Sequence, residues 1–199
     1  MPRRSGTERL EARRARLESH AAETDPEAVL GAAARFLEVR SRSVDEVRRH
    51  LMAARFPAAL VDGAIDRLAE LGMLDDRAFA SAWVESRDRA RPRGEGALRR
   101  ELALKGIDRE TVAAVLAERN EAAADFEAGG SGGVTADASA DQIAAERLVR
   151  KSRSALLRVE DPRARRRRVY ALLARSGFDP EICREVSGRF GASEGGPED

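Results

Sequence analysis

Three stretches of the chain repeat one pattern, and the clearest copy is LRRELALKGIDRETVAAVL, from Leu98 to Leu116. VRRHLMAARFPAALVDGAI, from Val47 to Ile65, and VYALLARSGFDPEICREVS, from Val169 to Ser187, align with it without gaps. Apolar residues recur four apart in each copy, which lines one face of an α-helix. A short break and a second helical stretch follow. A repeat of this kind indicates a tandem array of helical units.

The break between the two helices is marked by particular residue types. Gly106 and Gly177 predict a helix that ends in the left-handed conformation. Asp108 and Asp179 follow two residues later and can cap the next helix. The first repeat has Arg55 in the glycine position, so we expect its turn to differ from the other two.

A further helix is predicted ahead of each pair. The segments 24–27 and 43–46 both predict capping boxes that start helices in the first repeat. Asp75-Asp76 and Asp161-Pro162 predict helix starts in the second and third repeats. Aromatic residues make up only 4% of the chain, so Ala, Leu and Val must fill the core, which favours closely packed helices over a sheet. We therefore expect an all-α fold, a tandem array of three three-helix repeats that resemble helix-turn-helix units.

The expected domain organisation follows from these boundaries. It comprises a disordered or loosely helical N-terminal tail (1–23), repeats at 24–74, 75–119 and 141–190, a flexible Gly/Ala-rich linker (120–140) and a disordered C-terminal tail (191–199). The run Gly129–Gly133 predicts the linker. No Gly-Lys-Ser/Thr ending follows it, so a phosphate-binding loop is the less favoured interpretation.

The sequence offers no set of residues for catalysis or metal binding. His20 and His50 are isolated, and no spacing such as Cys-x-x-Cys or His-Glu-x-x-His is present. Cys183 falls on a predicted apolar helix face, which favours a buried thiol. We expect Phe79 and Trp83 to anchor the core rather than to stack on bases. The sequence therefore predicts no enzyme, no metal and no cofactor.

Charge and hydropathy exclude a membrane protein. Charged residues reach 36% of the chain, the net charge is +1, and no run of about 18 apolar residues occurs. The N-terminal stretch is charged and lacks the apolar region of a signal peptide. We expect a cytoplasmic protein with no membrane partner.

The motifs together resemble those of the RecX family. The segment 42–51 resembles an RS-x-x-EL-x-x-x-L opening, and 71–80 resembles a GYLDD-x-x-FA signature with Met73 in place of the tyrosine. GEGALRRELALKGID, 94–108, resembles the G-x-x-x-I-x-x-EL-x-x-KGI segment, and 175–178 resembles the closing RRGF. The resemblance covers roughly residues 26–190. It implies an elongated, curved array that binds the groove of the RecA–DNA filament and inhibits ATP hydrolysis and strand exchange.

Basic residues are the candidates for contact with RecA or DNA. From Arg147 to Arg168 the chain carries ten cations and two acids, a local net charge of +8. This run either contacts phosphates or acidic protein surface, or is a solvated helix face. The pairs at 48–49 and 99–100 occupy equivalent repeat positions, where the polar side of an amphipathic helix is the favoured interpretation. The full candidate set is Arg48, Arg49, Arg99, Arg100, Lys105, Arg147, Arg150, Lys151, Arg153, Arg158, Arg163, Arg165, Arg166, Arg167 and Arg168.

The expected partners follow from the resemblance and the charge. They are the RecA filament and, as a further partner, single- or double-stranded DNA, bound by a monomer. The alternative function is a helical-repeat DNA-binding protein that acts without RecA. A scaffold for an unrelated protein is the third hypothesis.

Overall fold

The computed structural model describes residues 6–128 and 139–192, and its side chains are described over 6–123 and 139–190. Within these ranges every regular element is an α-helix, which confirms the predicted fold class. The ten helices are α1 (Gly6–Ala21), α2 (Pro26–Leu37), α3 (Val44–Ala53), α4 (Ala58–Glu70), α5 (Asp76–Ala90), α6 (Glu95–Leu104), α7 (Arg109–Ala128), α8 (Ala140–Leu157), α9 (Pro162–Arg175) and α10 (Pro180–Ala192). None of the described helices is long and apolar enough to cross a membrane.

The helices group into two compact units. The first contains the described residues up to Phe79 together with Lys105–Ile107, and the second contains 80–104 and the described residues from 108 onwards. The triplets α2–α4, α5–α7 and α8–α10 correspond to the three predicted repeats, and α1 is an additional helix ahead of them.

The aligned apolar positions of the repeats form the cores. Leu51, Leu102 and Leu173 have no exposed surface, and Val61 and Cys183 are likewise fully buried. In the first unit this core is closed by residues of α2 and α4, and in the second a corresponding cluster joins α8, α9 and α10. Periodicity therefore identified the buried face of each repeat correctly, because residues four apart share one helix face.

The turns confirm the left-handed helix ends, and the first turn corrects one expectation. Gly106 and Gly177 have φ of 80° and 83°, as predicted, and Arg55 adopts the same conformation with φ of 68°. The Phe56 N–H donates to the carbonyl of the residue five positions earlier at 3.3 Å, as the Phe178 N–H does in the third repeat. The expected difference in the first turn was wrong. The hydrogen bonds and the burial of Phe56 hold Arg55 in a conformation that disfavours side chains.

Most predicted helix starts are present, with one correction. Ser43 and Glu46 form the predicted capping box at α3. At α2 the cap is Asp25 rather than Thr24, because the Asp25 carboxylate accepts from the Glu27 N–H at 3.0 Å. Asp161 caps α9 as predicted.

Two predicted segments differ from the structure at their edges. α7 continues to Ala128, nine residues beyond the predicted end of the second repeat, because the Ala- and Glu-rich stretch has high helix propensity. Residues 6–21 form α1, within the tail expected to be disordered or loosely helical. The glycine run Gly129–Gly133 and residues 193–199 lie outside the described residues.

Candidate functional site

The arginines of α3 are held by neighbouring acids. Arg48 pairs with Asp62 on α4. Arg49 Nε lies 2.8 Å from a carboxylate oxygen of Asp45, one turn earlier on the same helix. Both arginine side chains are about half exposed. This geometry is that of the polar side of an amphipathic helix, and exposed pairs of this kind contribute little binding or stability of their own.

The equivalent arginines of α6 differ from each other. Arg99 Nη2 lies 2.6 Å from Glu95 at the start of the helix. Arg100 is exposed, and none of the described residues pairs with its side chain. Of this pair, Arg100 is therefore the cation that a partner can reach without breaking an ion pair.

Lys105 is a structural residue in the first unit. Its Nζ lies 2.7 Å from Glu46 Oε1, and its side chain is only 22% exposed. Burial raises the pKa of Glu46, but hydrogen bonds from Lys105, Arg40 and Ser43 outweigh it and hold that pKa at about 2. A partner could bind Lys105 only by breaking its ion pair with Glu46.

Arg147 and Lys151 cap the C-terminal end of α5. Arg147 Nη1 donates to the Asp88 carbonyl at 3.3 Å. Lys151 Nζ donates to the Arg89 carbonyl and, at 3.2 Å, to the Ala90 carbonyl. Cations at a helix C-terminus satisfy carbonyls that have no partner within the helix. Sequence reasoning missed this role because the capped carbonyls lie about 60 positions earlier in the chain.

Arg165 is also satisfied by its own chain. Its Nε donates to the Val159 carbonyl at 2.9 Å and its Nη2 to the Glu160 carbonyl at 3.2 Å. It fastens the loop that leads into α9. Arg167 approaches Asp161 only to 4.0 Å, with its side chain 73% exposed.

Three exposed arginines of α9 share one helix face with a tyrosine. Arg163, Arg166, Arg167 and Tyr170 are spaced at i, i+3, i+4 and i+7, which places them on one helix face, beside the buried residues Val169 and Leu173. We call these four residues the α9 basic face. Tyr170 is 36% exposed and is the chain's only tyrosine. Sequence reasoning missed Tyr170, although its spacing from the arginines would have revealed it.

Further exposed cations flank this face in sequence. Arg168 is exposed on the side of α9, and Arg150, Arg153 and Arg158 are exposed on α8 or at its end. Among the described residues, the side chains of Arg150, Arg158 and Arg168 have no hydrogen-bond or ion-pair partner. The structure thus divides the basic run of the third repeat into structural cations and available ones.

A buried arginine that the sequence did not single out holds the second unit together. Arg119 on α7 is 8% exposed, and its guanidinium binds both carboxylate oxygens of Asp88 at 2.8 and 2.9 Å. It also donates to Asp141 on α8 at 2.6 Å. Asp141 in turn accepts from the Glu95 N–H at 2.8 Å. Burial raises the pKa of Asp141, because lost hydration outweighs these donors. The network fixes α8 against α5 and α7.

The aromatic residues lie at core edges. Phe79 is buried, as expected. Trp83 is only half-buried, its Nε1 donates to Glu101 at 2.9 Å, and the Arg87 guanidinium lies 4.5 Å from its ring centroid. The expectation that Trp83 anchors the core is therefore correct only in part, because its polar edge needs a hydrogen-bond acceptor.

The histidines and the cysteine have structural surroundings. The His50 ring stacks on Phe36 with 3.8 Å between centroids. Burial, and then the charge of Arg42, lower the pKa of His50. The Cys183 thiol is buried, as expected, and burial raises its pKa. No group of three or more His, Cys, Asp or Glu side chains in the described part of the chain could hold a metal ion.

The fold and its surfaces define a tandem three-helix repeat protein with an exposed basic face. Two family models match the chain, the first three-helix domain of RecX over residues 30–68 and the second over 75–116. Regulatory protein RecX from Mycobacterium avium (strain 104) is 35% identical over 153 residues, 76% of this chain and 78% of the relative. Regulatory protein RecX from Chlorobium phaeobacteroides (strain BS1) is 30% identical and matches 83% of this chain and 95% of its own length.

Solved structures agree on the fold. A crystal structure of RecX from Lactobacillus salivarius superposes with a TM-score of 0.64 at 16% identity, over 82% of this chain and 95% of that one. A second crystal structure, of regulatory protein RecX, superposes with a TM-score of 0.63 at 18% identity, over 82% of this chain and 71% of that one. The chain belongs to the RecX family, a family of regulatory proteins by the name that its members carry.

Proposed function

We propose that this protein binds the RecA–DNA filament in its groove and inhibits ATP hydrolysis and strand exchange. Membership in the RecX family supports the proposal most strongly, and the resemblance of the sequence motifs implies the same partner. The protein acts as a monomer in the cytoplasm, without catalytic chemistry of its own.

The α9 basic face supplies the surface by which the protein meets the nucleic acid or acidic protein surface of the filament. Its three arginines are exposed, and Arg167 approaches Asp161 only to 4.0 Å. Arginine forms strong hydrogen bonds to phosphate and carboxylate oxygens. The partly exposed Tyr170 ring adds an apolar contact between them.

The same surface supports the alternative function, direct binding to DNA without RecA. The two functions predict different relative affinities for RecA-coated and bare DNA. A filament regulator binds RecA-coated DNA more tightly than bare DNA, whereas a DNA-binding protein does not need RecA. The net charge of only +1 gives little non-specific attraction to bare DNA.

A competition experiment separates these functions. Binding of fluorescently labelled protein is measured against RecA–single-stranded-DNA filaments and against bare single- and double-stranded DNA, at several salt concentrations. We expect filament binding to be at least tenfold tighter. Tighter binding to bare DNA would reject filament regulation and favour the alternative.

Matched variants locate the surface. Replacement of Arg163, Arg166 and Arg167 by alanine removes three exposed charges and should lower the salt slope by roughly 2 to 3, since each phosphate contact contributes roughly 0.7–0.9. The control replaces Arg48, Arg49 and Arg99, which are already paired with acids. An equal loss of binding in both variants would show that overall charge, not the α9 basic face, is responsible.

A further inference from the structure

One backbone carbonyl in each repeat is used in the same way. The alignment of the repeats places Ala54, Lys105 and Ser176 at one position, immediately before the left-handed residue of the turn. In all three repeats the carbonyl oxygen of this residue accepts a hydrogen bond from an element earlier in the chain. The turn between the second and third helix of each repeat is therefore a docking face.

In the second and third repeats the donor is the start of an earlier helix. Ser43 Oγ, which caps α3, donates to the Lys105 carbonyl at 2.6 Å. The Gly94 N–H, just ahead of α6, donates to the Ser176 carbonyl at 3.1 Å. The fit is close, because a Cβ atom at Gly106 would overlap Asp45, and one at Gly177 would overlap Ala97.

In the first repeat the donor comes from α1. His20 Nδ1 lies 3.1 Å from the Ala54 carbonyl oxygen, so this nitrogen carries the hydrogen. The His20 ring also stacks on Phe56, with 4.1 Å between centroids and 17° between planes. His20, in the last turn of α1, thus binds the carbonyl that is bound by a helix start on the other two turns.

The contact made by α1 is much looser than the other two. No residue of α1 is buried. Arg55 keeps a side chain where the other repeats have glycine, and it is exposed. A cleft of about 410 Å³ remains between α1 and the turn, lined by Leu10, Leu17 and Arg55 among others. The hydrogen bond and the ring stack of His20 are the close contacts of α1 with this turn.

We propose that α1 is a displaceable cap that closes the N-terminal end of the repeat array in place of a preceding repeat. It alternates between a docked form, held by His20, and an undocked form in which the Ala54 carbonyl and the Phe56 ring are open to another helix start. Only residues 22–25 separate α1 from α2, so undocking is local and reversible. This inference does not depend on RecA.

Limited trypsin digestion of the full-length protein tests the cap. Arg13, Arg14 and Arg16 are cleavage sites within α1, and an undocked helix of this length is only marginally stable in water. We expect His20→Ala to speed cleavage there by about tenfold, the effect of losing one hydrogen bond and one ring stack. Cleavage after residue 25 should keep its wild-type rate.

Two further variants separate the contributions, and a third is the control. His20→Phe keeps the ring stack without the donor, and His20→Asn keeps a donor without the stack, so both should fall between wild type and His20→Ala. His50→Ala removes the other histidine and should leave cleavage within α1 unchanged. Equal cleavage of wild type and His20→Ala would overturn the cap, and so would acceleration of all sites in parallel, which indicates global unfolding.

Discussion

Replacement of Arg119 by methionine tests whether the buried ion network holds the second unit together. Methionine has a similar length and fills the space, so the change removes charge and hydrogen bonds rather than volume. The replacement leaves the carboxylates of Asp88 and Asp141 without their cation, at side-chain exposures of 23% and 12%. An uncompensated buried charge of this kind destabilises a protein strongly.

The expected loss of stability follows from how deeply the two carboxylates are buried. Breaking a buried pair by removing one partner costs about 3–5 kcal/mol. Asp88 is partly exposed, and Asp141 retains the Glu95 N–H at 2.8 Å, so both carboxylates keep some solvation. We therefore expect Arg119→Met to lower the free energy of unfolding by about 2–4 kcal/mol.

Urea denaturation followed by tryptophan fluorescence is the assay. Trp83 is the chain's only tryptophan and lies in the second unit, so it reports on the unit that the network stabilises. The triple variant Arg119→Met, Asp88→Asn, Asp141→Asn removes all three charges and should recover at least about half of the loss, because no buried charge is left unpaired.

Two results would refute this reasoning. A loss below about 1 kcal/mol in Arg119→Met would mean that the network contributes no more than a surface pair. A triple variant less stable than the single one would mean that the carboxylates stabilise the unit without Arg119.

Three further predictions concern the turns and one carboxylate. Arg55→Gly should raise the free energy of unfolding by about 0.5–1 kcal/mol, because relief of the left-handed strain exceeds the added entropy of glycine in the unfolded chain; thermal denaturation that shows a loss would contradict it. Gly177→Ala should lower the free energy of unfolding by about 2–4 kcal/mol, because the new Cβ is strained at this φ and overlaps Ala97. Gly63→Ala, inside α4 and with no atom within 4 Å of the new Cβ, should be neutral or stabilising in the same assay. The folded pKa of Glu46, about 2, lies below its ordinary value of 4.5. Its contribution of about 3 kcal/mol to the free energy of unfolding is therefore present above pH 4.5 and is lost as the pH falls from there towards 2. Acid titration of Glu46→Gln should lack this loss, and a pH profile equal to that of the wild type would exclude the role of Glu46.

The helices and cores could be predicted from the sequence because their signals are local. The spacing that aligns Leu51, Leu102 and Leu173 places all three in the cores, and the glycines mark two of the three turns. Arg55 was misinterpreted because its residue type disfavours a left-handed turn, and only the surrounding hydrogen bonds and burial show that the turn forms nevertheless.

The roles of the cations could not be predicted in the same way, because their partners lie far away in the chain. Arg147 and Lys151 cap α5 from about 60 positions away, and Lys105 pairs with Glu46 across 59. In the sequence all three look like any other solvent-exposed charge. The role of Arg119 could not be predicted either, because its partners Asp88 and Asp141 are also distant in the sequence.

The most direct test of the proposed function is single-stranded-DNA-dependent ATP hydrolysis by the cognate RecA, with increasing amounts of this protein at moderate salt. We predict inhibition at substoichiometric amounts. Replacement of Arg163, Arg166 and Arg167 by alanine should weaken this inhibition at least about tenfold, which corresponds to about 1.4 kcal/mol of lost binding free energy. Replacement of Arg48, Arg49 and Arg99 should leave it unchanged. Undiminished hydrolysis at several-fold excess of folded protein would contradict the regulation of RecA by this chain.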